Sequence, residues 1–290
     1  MNNSRRVTFV GCIKNSETFL TSVLSNVEKM CSFFDHHAFI FIENDSSDNT
    51  VKLLRDFGNG KNHFLLYTLN GLDNLFTART VRLEICRNMY LTALKESTLI
   101  SDSDVVVMMD MDDVNSMPLD EKCFAKALSF LDDNESLAAV TAVPEGKYYD
   151  LWALRHNKFF DRDIWEDVID LLLYENMPGD KATEKIIDGL DLSFISRDKP
   201  TIVESAFGGL ALYKHSAIKK NPFLYLGQKT KYIFNENGNF FRMQQCEHVN
   251  FNLGFKYLGM KIAIHPELKI FGYGNRFNLN SSAARSLIIS

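Results

Sequence analysis

The sequence predicts an α/β fold with a mostly parallel central sheet flanked by helices on both faces. Short apolar runs, each long enough for one buried strand, alternate with stretches whose apolar residues recur at helical spacing. The connections between them are short, as in successive β-α-β units. Of the 290 residues, 46% are hydrophobic, which fills a sizeable core and argues against general disorder.

The predicted elements follow one another closely in the first half of the chain. Asp48 or Asn49 is placed to cap the second helix. After Ala142 the pattern loosens into an aromatic and charged region, with a turn signal at Pro178-Gly179-Asp180. The predicted strands are Val7–Ile13, Ala38–Ile42, His63–Leu69, Val105–Met109 and Leu137–Ala142, and the predicted helices are Phe19–Phe33, Val51–Phe57, Val81–Leu94, Leu119–Leu131 and Ile164–Tyr174.

Composition argues against several classes of protein. The chain has 32 basic and 37 acidic residues without a polybasic run, so no nucleic-acid partner is expected. No segment approaches the roughly 20 apolar residues of a membrane-spanning helix, and the N-terminus reads as a first strand rather than a signal peptide. We therefore expect a cytoplasmic protein without a transmembrane segment. Buried reduced thiols are expected at the five scattered cysteines, which are Cys12, Cys31, Cys86, Cys123 and Cys246.

An acidic cluster follows the strand predicted at Val105–Met109. The stretch VVVMMDMDDVN places Asp110, Asp112 and Asp113 within four positions. Such close carboxylates repel one another unless a cation or partner lies among them. In a tight turn, Asp110 and Asp112 can converge on Mg²⁺ or Mn²⁺, which prefer oxygen ligands and keep positions open for phosphate. On spacing alone, a solvated turn that caps the helix after Pro118 is an equal alternative.

Two further polar clusters follow predicted strands. They are Lys14-Asn15 and the stretch ENDSSDNT at Glu43–Thr50. Ligands of open parallel sheets bind outside the carboxyl ends of the strands. The sequence therefore predicts a ligand site where these clusters meet the acidic cluster.

The motifs, taken in order, resemble the GT-A class of nucleotide-sugar glycosyltransferases over residues 7–270. An apolar strand ends in D-x-D, and ENDSSDNT follows an earlier strand. The other matching stretches are ICRNM (residues 85–89), SAFGGLALYK (205–214) and CEHVNFNLGF with YLG (246–259). The stretches YYDLWALR (148–155) and RTVRLEICRN (79–88) are similar to fungal mannosyltransferases of capsule and cell-wall synthesis and to their bacterial or viral relatives.

The resemblance implies a single Rossmann-like GT-A domain over residues 1–290, with a smaller acceptor-side subdomain. Residues 1–117 would form the nucleotide-sugar-binding half, and residues 118–290 the acceptor-binding half. The implied reaction is a metal-dependent hexosyl or pentosyl transfer from a UDP- or GDP-linked donor to a hydroxyl of a glycan or glycoconjugate. Inversion at the anomeric carbon is expected.

The resemblance also assigns roles on the donor side. Glu43, or alternatively Asp45, would contact the nucleoside. Asp112, helped by Asp110 or Asp113, would hold Mn²⁺ or Mg²⁺ on the diphosphate, where the metal stabilises the leaving group. Arg79, Arg82 and Arg87 could each bind phosphate through charge-assisted hydrogen bonds. Solvated positions on the helix face are expected for two of the three, and Arg87 is the preferred phosphate ligand.

On the acceptor side, Gly208 and Gly209 would let the backbone approach the sugar closely, although a buried tight turn is an equal alternative. Tyr149, Asp150 and Trp152 are expected to bind sugar, although core packing is an equal alternative for Trp152. Glu247 occupies the first position of the class's E-D pair and ranks first as the acceptor base. His248 replaces the acid of that pair, so it is a second candidate base or, in a retaining enzyme, a metal ligand. His265 is a further candidate metal ligand.

Two rival functions stay open. A sugar-nucleotide nucleotidyltransferase shares the sheet and the acidic metal site, but it needs a glycine-rich basic loop after the first strand. The stretch GCIKNSE has only one glycine and one lysine. The other rival is a non-catalytic carbohydrate-binding protein of the same fold.

Overall fold

A computed structural model describes residues 4–96, 103–144, 148–230 and 242–270. The strands are β1 (Arg6–Ile13), β2 (His36–Asn44), β3 (Phe64–Leu69), β4 (Val105–Met109), β5 (Leu137–Pro144), β6 (Thr201–Val203), β7 (Leu210–Lys214), β8 (Gln228–Thr230), β9 (Arg242–Gln244) and β10 (Lys261–Ile270). The helices are α1 (Glu17–Cys31), α2 (Thr50–Gly58), α3 (Leu72–Leu75), α4 (Arg79–Glu96), α5 (Glu121–Asp133), α6 (Ile164–Tyr174), α7 (Gly179–Asp188), α8 (His215–Lys220) and α9 (Glu247–Tyr257).

Among the described residues, the central sheet has eight strands in the order β3-β2-β1-β4-β7-β5-β10-β6. Only β6 and β7 run against the other six strands. A separate two-stranded ribbon pairs β8 with β9. The predicted α/β class with a mostly parallel sheet is therefore confirmed. The sheet takes strands from both predicted halves of the chain.

Helices cover the sheet on both faces because the strands are apolar on both sides. All five residues of β4 are buried, as expected of a strand in the middle of a covered parallel sheet. One large core cluster lies under α1, α2 and α5, a second lies under α4, α8 and α9, and a small third cluster lies between α6 and α7. Within the described ranges, no helix is long and apolar enough to cross a membrane.

The predicted elements agree with the structure in kind and in place. β4 and α6 have the predicted bounds, whereas the turn signal at Pro178 marks the N-cap of α7. Asn49 is the N-cap residue of α2, but Asp48 supplies the capping carboxylate, whose Oδ1 accepts the Thr50 N–H at 3.0 Å. Side-chain caps of this kind satisfy donors that the helix itself leaves free.

The strand order reverses between β1 and β4. From β1 the chain moves outwards through β2 to β3, and it then returns to place β4 on the other side of β1. Such a reversal opens a crevice at the carboxyl ends of the two strands, which is where ligands of this architecture bind. Lys14 follows β1 and Asp110 follows β4, so the predicted site residues border this crevice.

Candidate active site

The acidic cluster forms a turn that is fixed to a neighbouring loop. Asp112 starts a 3₁₀ turn over Asp113–Asn115, and its Oδ1 accepts the Val114 N–H at 3.2 Å. The buried Asn115 amide donates to the carbonyl oxygens of Asp110 and Gly209, both at 2.8 Å. Asn115 therefore ties the acids to the glycine turn, a role that the sequence analysis missed.

The glycine turn passes too close to its neighbours for any side chain. Gly208 and Gly209 have φ values of +68° and +83°, a region that favours glycine. A Cβ on Gly208 would lie 2.3 Å from the Ala142 carbonyl oxygen. A Cβ on Gly209 would lie 2.9 Å from the Tyr149 hydroxyl and 3.6 Å from Asp110 Oδ2. The missing side chains thus let the backbone pass directly beside Asp110 and Tyr149.

Arg87 of α4 connects the acidic cluster with the start of α9. Its side chain is 4% exposed. Nε donates to Glu247 Oε1 at 2.8 Å, Nη1 donates to the Tyr90 hydroxyl at 3.1 Å, and Nη2 lies 3.4 Å from Asp110 Oδ1. The guanidinium also packs over Phe207, at 5.1 Å from the ring centroid. Arg87 is therefore held in place between two of the predicted site carboxylates.

Glu247 and His248 open α9 and are both buried. Glu247 is the first helical residue, where the helix dipole favours a carboxylate. The His248 ring stacks on Phe207 at 4.0 Å and has no hydrogen-bond partner in the part of the chain that the structure describes. Burial lowers the pKa of His248 well below its usual range, and the Arg87 charge adds to this effect. His248 is therefore neutral at physiological pH.

Asp150 lies beside the glycine turn. Its Oδ2 accepts the Gly208 N–H at 2.8 Å. Burial raises the pKa of Asp150, and the nearby Glu247 carboxylate raises it further. Asp150 is thus one of three carboxyl groups, with Asp110 and Glu247, that interact with the buried Arg87.

Trp152 takes part in a different buried cluster. Its indole N–H donates to Asp163 Oδ2 at 3.0 Å, and Arg155 pairs with the same oxygen at 3.1 Å. Asp163 also caps α6 through the Trp165 N–H. The polar atom of Trp152 is therefore engaged within the fold.

The acids after β2 hold the loop around them. Asp45 has a φ of +52° and accepts the Gly71 and Asp73 N–H groups. The hydrogen bond from Gly71 is the main reason that the pKa of Asp45 is lowered. Glu43 is buried and accepts the Ser46 N–H at 2.7 Å. Both candidates for the nucleoside contact lie at the carboxyl end of β2.

The remaining candidates from the sequence are spread more widely. Arg82 pairs with Asp73 at 3.0 Å, while Arg79 is exposed at the first position of α4. His265 on β10 packs against Phe130 of α5, at 5.2 Å between ring centroids. Its Nδ1 accepts the Glu267 N–H, and burial lowers its pKa.

The acidic cluster does not form a complete metal cage. Within the described ranges, no group of three or more His, Cys, Asp or Glu side chains is arranged to hold an ion. Mg²⁺ and similar ions are commonly bound by one or two carboxylates together with phosphate oxygens of a substrate. Asp110, Asp112 and Asp113 fit a site of this kind, in which a substrate phosphate completes the coordination, because they supply carboxylates at the carboxyl end of β4.

A scan of the sequence against models of known protein families finds no match, and a search of curated proteins finds none either. Solved structures with a similar backbone fold include a mannosyltransferase, PcManGT from Pyrobaculum calidifontis in complex with GDP-Man and Mn²⁺. The TM-score is 0.49 and the sequence identity is 14%. The match covers 95% of this chain and 59% of PcManGT.

TarS 1–349 of S. aureus has a TM-score of 0.47 and 13% identity, with coverage of 92% of this chain and 60% of that one. Glucosyl-3-phosphoglycerate synthase of Mycobacterium tuberculosis in complex with UDP has a TM-score of 0.44 and 13% identity, with coverage of 98% and 77%. This chain therefore spans about three fifths of the length of PcManGT and of the TarS fragment.

Proposed function

We propose that the protein is a metal-dependent glycosyltransferase of the GT-A class. It would move a sugar from a UDP- or GDP-linked donor to a hydroxyl of a glycan or glycoconjugate, with inversion. The observation that carries the proposal is the acidic turn after β4. This turn lies where the strand order reverses. Asn115 hydrogen-bonds it to the glycine turn, and the buried Arg87 pairs with its Asp110 side chain.

In this proposal the donor diphosphate lies at the acidic turn. Asp112, with Asp110 or Asp113, would hold Mn²⁺ or Mg²⁺ against it, and the bound ion would act as a Lewis acid for the leaving diphosphate. Arg87 and Asn115 fix Asp110 from two sides, so the carboxylate is positioned before the donor arrives. Glu43 would contact the nucleoside, while Asp45 holds the following loop.

The acceptor would bind on the other side of the glycine turn. Tyr149 and Asp150 border that turn, and a carboxylate can accept hydrogen bonds from sugar hydroxyls. Trp152 would support this segment through Asp163 rather than touch the sugar. Inverting transfer requires a base for the acceptor hydroxyl, and the candidates near the turn include Asp150, Glu247 and His248.

The loop after β1 argues against the nucleotidyltransferase alternative, which needs basic residues there to bind phosphate. Lys14, its one basic residue, forms an ion pair with Asp73, so its charge is already engaged. The alternative of a non-catalytic sugar-binding protein is compatible with the same cleft and differs only in the absence of turnover.

A single set of incubations separates the three functions. The protein is given Mn²⁺ with GDP-mannose or UDP-glucose and a panel of methyl glycosides, and in parallel GTP or UTP with a sugar 1-phosphate. We expect release of GDP or UDP that stops when EDTA removes the metal, with product anomers read by NMR. Release of pyrophosphate would instead indicate the nucleotidyltransferase. Sugar binding without release of either product would indicate the binding protein.

A further inference from the structure

We propose that Asp150, rather than Glu247, takes the proton from the acceptor hydroxyl. This assignment rests on the proposed glycosyl transfer and names the base that the reaction needs. It follows from a difference between two carboxyl groups that lie close to the same arginine.

Glu247 is poorly placed to act as a base. Its Oε1 lies 2.8 Å from Arg87 Nε, and the side chains of Glu247 and Arg87 are only 5% and 4% exposed. The bond to Arg87 occupies this oxygen, and burial leaves the Glu247 carboxylate little surface for an acceptor hydroxyl to reach. The buried guanidinium of Arg87 also needs this carboxylate as its partner. Glu247 is therefore a positioning residue that holds Arg87, which in turn contacts Asp110.

Asp150 is held in place without an ion pair of this kind. The Gly208 N–H binds its Oδ2 at 2.8 Å, and the next residue, Gly209, lies against Asp110 and Tyr149. The Ala153 N–H also donates to this carboxyl group. A carboxylate has about four lone-pair positions, so these two backbone bonds leave room for a hydroxyl donor. The bond from Gly208 fixes Asp150 beside the acidic turn. Because Asp150 is only half-buried, part of its surface stays accessible.

The surroundings of Asp150 favour proton uptake. Burial is the main cause of its raised pKa, Glu247 adds to the effect, and Arg87 opposes it. A carboxyl group with a raised pKa in a cleft is a better base than an ordinary aspartate. The titratable and charged groups that face it from the surrounding elements are Tyr148, Arg87, Tyr213, Cys246 and Glu247.

In the proposed step, the acceptor hydroxyl displaces the nucleoside diphosphate from the donor sugar. The acceptor oxygen forms its bond to the anomeric carbon while its proton passes to the Asp150 carboxylate. The bond from that carbon to the diphosphate oxygen breaks, and its electron pair leaves with the nucleoside diphosphate. Asp150 then loses the proton to solvent and returns to its charged form.

The test compares Asp150→Asn with Glu247→Gln in the whole chain. Asparagine keeps an oxygen for the Gly208 N–H but cannot take a proton. We expect Asp150→Asn to bind GDP or UDP with Mn²⁺ like the wild type and to lose at least about 10²-fold in kcat, as for loss of a general base. The wild-type rate should fall at acid pH as Asp150 becomes protonated, and this acid limb should be absent in Asp150→Asn.

Glu247→Gln should show a smaller loss of kcat and should keep the acid limb, because the group that titrates is still present. The opposite pattern, an active Asp150→Asn and a Glu247→Gln that loses both kcat and the acid limb, would overturn the assignment and make Glu247 the base. A wild type that binds nucleotide and Mn²⁺ but gives no transfer or hydrolysis with any donor would instead refute the proposed function, and the base assignment with it.

Discussion

Two arginine–carboxylate pairs are buried in the part of the chain that the structure describes, and they differ in what surrounds them. Arg155 pairs with Asp163 at 3.1 Å. The other Arg155 donors go to the carbonyl oxygens of Trp152 and Leu154, and Asp163 also binds the Trp152 indole. Every one of these partners is an internal group of the fold.

Arg87 pairs with Glu247 at the shorter distance of 2.8 Å, and this pair is also buried. It also contacts Tyr90 and Asp110, and the Asp110 side chain is 29% exposed. The Arg155–Asp163 pair therefore links parts of the fold to one another. The Arg87–Glu247 pair instead connects the fold, through Asp110, to the carboxyl end of β4, where a ligand can bind. The same chemistry serves stability in one place and, in our proposal, catalysis in the other.

A large effect is expected from the same conservative change at both arginines. Lysine keeps the charge but loses the guanidinium's several directed donors. Arg155→Lys should lose about 2 kcal/mol of unfolding free energy, because buried hydrogen bonds to charged groups are lost. Its activity per folded molecule should stay unchanged. Arg87→Lys should also lose stability, and in addition its rate of nucleotide release should fall at least tenfold, because Asp110 is no longer held.

Urea denaturation gives the stability of each variant, and nucleotide release at matched folded concentration gives the activity. Two variants that lose activity per folded molecule to the same extent would contradict the distinction between the pairs. Lys181→Ala serves as the control, since its pair with Glu184 is on the surface and such pairs contribute little.

A smaller effect is expected at the glycine turn. Gly209→Ala places a Cβ 2.5 Å from Val114 Cγ1 in a left-handed conformation, whereas Gly60→Ala has a φ of +76° with nothing within 4 Å. Gly60→Ala should therefore cost only the conformational penalty of about 1–2 kcal/mol. Gly209→Ala should cost more and also weaken binding of nucleotide with Mn²⁺. Equal losses of stability and unchanged binding in both variants would show that the turn is not part of the site.

The core of this fold is predictable because its strands and helices have strong patterns. The five consecutive apolar residues of β4 predict a buried strand with the observed bounds. β6 has only three residues, and the apolar pattern of β10 is interrupted by Pro266 and by charged residues. Neither carries a periodic signal long enough to identify, so the sequence analysis did not predict them.

The site is predictable to a lesser extent. The acids after β4 could be found because they follow an apolar strand. The pairing of Arg87 with Glu247 could not, since the two residues are 160 positions apart and their contact depends on how α4 and α9 pack. For the same reason the sequence ranks Glu247 first as the base, while the structure shows it paired with a cation. Asn115 gave one usable signal, an amide directly after an acidic turn.

The most direct test of the account is calorimetry of GDP and UDP binding, with and without Mn²⁺, in Asp112→Asn. Asparagine still caps the 3₁₀ turn, so the variant removes the charge and leaves the turn intact. The control is Asp120→Asn, which changes another capping aspartate at the start of α5. We predict that Asp112→Asn loses at least about tenfold of the Mn²⁺-dependent affinity, as for removal of a metal ligand, while Asp120→Asn keeps it. Unchanged Mn²⁺-dependent affinity in Asp112→Asn would contradict the proposed metal site at the acidic turn.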